Sequence, residues 1–99
     1  MDPTSFRFVV TMPGDSRLVG VIRDLTAQAG SYAQLAGEVS GAFAQQVADA
    51  TLSAIAGTGV QDAPIEFRFF RSTDILRVTI TWRTNGTEQR REVEQKTSA

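Results

Sequence analysis

Two alternating runs separated by four turn-forming residues constrain this chain more than any other feature. IEFRFF (65–70) sets Ile65, Phe67 and Phe69 against Glu66, Arg68 and Phe70. ILRVTITW (75–82) sets Leu76, Val78, Ile80 and Trp82 against Ile75, Arg77, Thr79 and Thr81. A period of two sends successive side chains to opposite faces of a strand. RSTD (71–74) supplies turn residues between the runs, so the pair reads as a β-hairpin with one apolar face. SFRFVVT (5–11) carries the same signature, with Phe6, Phe8 and Val10 against Arg7, Val9 and Thr11, and Pro13-Gly14 ends it.

Between the first strand and the hairpin the period changes to that of a helix. Asp15 or Ser16 can cap a first helix that runs to about Ala33. Leu18, Ile22, Leu25, Ala29 and Tyr32 form its apolar stripe, with Arg17, Asp24 and Gln28 off it. Gly30 weakens the pattern, by roughly 1 kcal/mol relative to alanine. Gly37 and Gly41 argue against one uninterrupted helix, and the expected break is at 34–37, with Leu35 as a buried plug. Ser31 followed by Gln34 offers a capping box for an earlier restart. A second helix is expected over about 38–56, with Val39, Phe43, Val47, Ala50 and Ala54 on its apolar stripe and Gly57 and Gly59 terminating it. After Asn85-Gly86, TEQRREVEQKTSA holds one large apolar residue, Val93, and is expected to be a frayed helix or a disordered tail. The expectation is an α+β two-layer sandwich of β-α-α-β-β order over residues 1–86, its two helices on one face of a small antiparallel or mixed sheet, followed by a polar tail at 87–99.

Composition removes several function classes. The net charge of −1 gives no general field for nucleic acid or anionic lipid. Neither cysteine nor histidine occurs, which removes thiol chemistry, an imidazole base and the usual zinc ligands. No apolar run approaches the ~20 residues of a membrane span. MDPTSFRF lacks the basic start and apolar core of a signal peptide, so a cytoplasmic location is the expectation.

VVTMPGDSRLVGVIRDL (9–25) leads from a strand through a Pro/Gly/Asp turn into the first helix, and QQVADATLSAIAG (45–57) places Asp49 and Ser53 four apart on one face of the second. With the two strands that follow, this order resembles the N-terminal half of the histidine-kinase-like ATPase fold, in particular the serine-kinase anti-sigma factors of bacteria. The resemblance covers about residues 5–86. In that family the second helix carries a nucleotide-site Glu and, four residues on, an Asn that ligates magnesium. The second following strand ends in an Asp-x-Gly-x-Gly loop that reads adenine. The resemblance puts Asp49 at the Glu position, Ser53 at the Asn position and Trp82 near the adenine-reading Asp, and leaves Asn85-Gly86 of the glycine loop.

Each replacement has a chemical cost. Asp49 is shorter than Glu by one C–C bond, roughly 1.5 Å. Ser53 is shorter than Asn, although a hydroxyl can hold magnesium. Indole only donates hydrogen bonds, so Trp82 cannot accept one from adenine. The family's lid and second glycine motif are expected to be missing, and with them the backbone N–H groups that cradle phosphates. The plainer reading of Asp49 and Ser53 is a solvated helix face.

If the alternating apolar residues pack under the helices, Arg7, Val9, Arg68, Phe70, Ile75 and Arg77 share the opposite face. An open sheet face is the ordinary reading; arginine beside aromatic and aliphatic side chains is also the composition of an association surface. The sequence therefore points to a non-catalytic protein-interaction module, without cofactor or metal, binding a protein partner or itself as a homodimer; the resemblance implies a setting in bacterial transcription or anti-sigma type regulation. Two alternatives stay open: an ATP-binding serine/threonine kinase-like anti-sigma factor whose lid comes from a partner, and an α+β module holding a small apolar ligand between helices and sheet.

Overall fold

The alternating runs pair edge to edge as antiparallel strands, and their apolar faces turn to the same side. The computed structural model describes residues 5–97; residues 1–4 and 98–99, at the ends of the expected domain and tail, lie outside the described residues. The chain forms β1 (Phe6–Pro13), a 3-10 turn (Ser16–Leu18), α1 (Val19–Tyr32), α2 (Gly37–Thr58), β2 (Pro64–Arg71), β3 (Ile75–Thr84) and β4 (Thr87–Lys96). One antiparallel sheet runs β1-β2-β3-β4 in space, and the helices lie on one side of it. The α+β class and the helix break are as expected from the sequence. The fourth strand is not.

Register explains the core. Phe8 stands beside Phe69, Phe69 beside Val78, and Val78 beside Val93, one inward row across four strands. The Phe8 and Phe69 rings stack at 4.6 Å between centroids. Ile65, Phe67, Phe69, Leu76, Val78 and Ile80 are fully buried, and Ile22, Phe43, Val47 and Ala54 close over them from the helices. Each such large apolar side chain removed from water contributes about 1.5–3 kcal/mol.

Local chemistry sets the helix ends. The Asp15 carboxylate accepts the Arg17 backbone N–H at 2.9 Å and starts the 3-10 turn that leads into α1. At the other end, Gln34 N–H donates to Ser31 O and Leu35 N–H to Gly30 O, with Gln34 left-handed at φ 67°. That bonding is a Schellman motif. Ser31 and Gln34 therefore end α1 and do not form the capping box of a new helix. Leu35 is half-buried against the core. Tyr32 departs from its expected place in the apolar stripe: it is 66% exposed and meets the Phe6 ring edge-on at 5.7 Å. Gly57 lies inside α2 and does not end it; the helix stops at Gly59, which is left-handed at φ 66°.

The expected frayed or disordered tail is corrected over Thr87–Lys96, which pairs with β3 along its whole length, from Thr84 beside Thr87 to Ile75 beside Lys96. Asn85 (φ 52°) and Gly86 (φ 80°) are both left-handed and close a two-residue hairpin, the geometry that right-twisted strands require. β4 needs little apolar surface because it is the sheet edge. Of its inward positions only Val93 is buried, and Gln89 and Arg91 remain exposed. Among the described residues no helix is long and apolar enough to cross a membrane.

Candidate interaction face

The face of the sheet turned away from the helices is built by the same alternation that builds the core. Arg7 stands beside Phe70, Phe70 beside Arg77, and Arg77 beside Glu94, so one row crosses all four strands. The next row is Val9, Arg68, Thr79 and Glu92. The structure thus brings together Arg7, Val9, Arg68, Phe70 and Arg77, with Ile75 one step further along β3 on the same face.

The row is more than a set of neighbours. The Arg7 and Arg77 guanidinium carbons lie 5.3 and 5.7 Å from the centroid of the Phe70 ring, within the range of a cation–π attraction. Arg77 Nε donates to Glu94 Oε1 at 2.9 Å. Arg68 is paired with Glu66 at 3.1 Å on its own strand. Phe70 is therefore half-buried by two arginines rather than bare, while Val9 is 50% exposed at the sheet edge. Such exposed ion pairs contribute little stability, about 0–1 kcal/mol each. Their effect here is to hold side chains in place over the open face. β4 extends this face with Arg90, Glu92 and Glu94 and does not fold over it. Sequence reasoning missed this carboxylate-bearing strand, although Asn-Gly after an alternating run signals a hairpin.

The positions that the sequence resemblance assigns to a nucleotide site fall elsewhere. Asp49 and Ser53 are exposed on α2, and the Asp49 carboxylate accepts a hydrogen bond from Gln45 Nε2 at 2.9 Å. Gly57 continues their stripe, and Thr84 Oγ1 donates to its carbonyl at 2.7 Å. Trp82 packs at that crossing: a Cβ on Gly57 would come within 3.1 Å of Trp82 Nε1, which is buried without an acceptor. Asp49 overlooks a shallow groove beside Arg91, Glu92 and Glu94 of β4. Asn85 and Gly86 make the hairpin turn, so the pair that resembles a remnant glycine loop has a local structural task. The β4 backbone groups that face β3 are spent in the ladder and are not arrayed toward a phosphate.

No protein-family model matches the chain, and no curated protein matches it in sequence. Among the described residues no cluster of three or more carboxylates gathers to hold a metal ion.

Proposed function

We propose that this chain is a non-catalytic protein-interaction module acting through its open sheet face. One observation carries the reading: Phe70 is gripped by Arg7 and Arg77 on a four-stranded surface that also bears Val9. Arginine and aromatic side chains held by one another on a sheet supply contact area at low entropic cost, and both are enriched at interface cores. A descent from the scaffold of the histidine-kinase-like ATPases is part of the proposal, on the sequence resemblance over about residues 5–86 alone. In this proposal the anti-sigma serine-kinase branch gives the setting, a bacterial regulatory system, and the chemistry of the nucleotide site is gone.

The test is site-specific photo-crosslinking in the producing cell. A photo-reactive residue at Val9 should yield a discrete protein adduct, identified by mass spectrometry. The same residue at Gln28, on the exposed side of α1, should not. Phe70→Asp with Ile75→Asp should abolish the Val9 adduct, because a carboxylate buried without a partner in a contact is strongly disfavoured. Equal adducts from both positions, or none from Val9, would remove the proposal.

A further inference from the structure

We infer that the occupant of the open face is a second copy of this chain, stacked face to face about a two-fold axis parallel to the strands. The inference rests on the reading of that face as an interaction surface and adds the partner and its orientation.

Charge is unevenly divided along the outward rows. β1 ends the first row with Arg7, and β4 ends it with Glu94; Val9 and Glu92 end the second. An axis along the strands turns a copy so that β1 lies over β4 of the second copy, and β2 over β3. Arg7 then faces Glu94 of the second copy, and symmetry makes the contact twice. Phe70 faces Arg77 of the second copy, a further guanidinium for the ring. Glu94 has room for this. Arg77 occupies its Oε1, and a carboxylate offers two oxygens with about four acceptor sites.

An axis across the strands does the opposite. It lays each strand antiparallel over its own counterpart, so the Arg7 edge stays against the Arg7 edge and never meets Glu94. Opposite charges steer and fix a contact, and only the first arrangement brings Arg7 against Glu94 and Phe70 against Arg77 of the second copy. The strands also supply enough surface. Four at about 4.8 Å spacing and eight residues long at about 3.3 Å rise cover a footprint of roughly 500 Å² in projection. With side-chain relief that approaches the ~800 Å² per partner of a standard interface.

The experiment is a charge exchange read by sedimentation velocity. The wild-type chain should be a dimer. R7E sets a carboxylate against Glu94 of its mate, and E94R sets a guanidinium against Arg7, so each variant alone should dissociate, with a dissociation constant raised about 100-fold or more. Mixed in equal amounts, R7E and E94R should form a 1:1 heterodimer, because each copy then meets opposite charge at both contacts. The double variant R7E/E94R should be dimeric, which also shows that the substitutions leave the fold intact. A monomeric wild type, single variants that stay dimeric, or a mixture that stays monomeric would each overturn the inference. The crosslinking experiment separates this failure from that of the wider reading: an adduct to a different protein keeps the interaction module and removes the self-contact, and no adduct removes both.

Discussion

A Cβ at position 30 would overlap Ser40 Oγ and come within 3.1 Å of Ser40 Cβ. Gly30 therefore sets the closest approach of α1 and α2, where Ser40 Oγ donates to the Ala27 carbonyl at 2.9 Å. In the sequence the same glycine reads only as a weak point in a helix, because propensity is local and a helix crossing is not. Gly30→Ala is expected to lower stability by about 1–3 kcal/mol from overpacking, outweighing the ~1 kcal/mol that alanine gains in helix propensity. Thermal melting measures the loss. Ser40→Ala should reduce it in a double-mutant cycle, since the substituted side chains touch. Gln34 gives the converse case: its left-handed backbone suits glycine, and Gln34→Gly should raise stability by up to about 1 kcal/mol. Asp15 adds a pH dependence. Hydrogen bonds from the Arg17 side chain and then its backbone N–H hold the carboxyl below its usual range. A depressed folded-state pKa contributes stability above the unfolded value, which is lost as pH falls through the folded one. Melting temperatures of wild type and Asp15→Asn should thus differ at neutral pH and converge in acid.

At the scale of elements, legibility followed burial. β1, β2, β3 and both apolar helix stripes could be read because one face of each is packed, and packing imposes a period on the residue types. β4 could not be read that way. Its outward residues are charged, and its inward residues 89 and 91 are exposed, so its sequence carries almost no alternation of hydropathy. What specifies it is the turn at Asn85-Gly86 and a register pinned by Val93 beside Val78. Charged side chains on an edge strand also discourage uncontrolled pairing with other chains. The candidate face was legible only in part for the same reason: Arg7, Val9, Arg68, Phe70, Ile75 and Arg77 followed from alternation, whereas Glu92 and Glu94 depended on a strand that apolar pattern does not announce. Gly86→Val tests the turn. At φ 80° a β-branched residue is strained, and the expected cost is about 1–3 kcal/mol. Hydrogen exchange should report it as faster exchange across 87–96 with less change in β1 and β2. Uniformly faster exchange throughout the chain would mean that β4 folds and unfolds only with the rest of the sheet.

For the molecule as a whole, the proposed descent from an ATPase scaffold raises the question of nucleotide binding, which turns on four positions. Asp49 is engaged by Gln45 and open to water, so it lacks the enclosed surroundings in which a carboxylate activates a hydroxyl. Ser53 is likewise exposed. Trp82 is wedged at the Gly57 crossing, and its ring nitrogen is a donor that cannot replace an adenine-accepting carboxylate. Asn85 and Gly86 are committed to the hairpin, and β4 pairs with β3 immediately after them. Under the proposed descent, each of these departures weakens nucleotide binding. Mg-ATP at millimolar concentration is therefore expected to leave the melting temperature of the whole chain unchanged. The measurement is sensitive enough to decide, because a ligand present at 100 times its dissociation constant adds about 2.7 kcal/mol. For a domain of about 100 residues, that corresponds to a rise of roughly 10 °C or more. A reproducible rise that disappears in Asp49→Ala would restore the nucleotide-dependent reading. A rise that persists in Asp49→Ala but is lost with Arg7→Ala would instead locate the nucleotide phosphates on the guanidinium groups of the open sheet face.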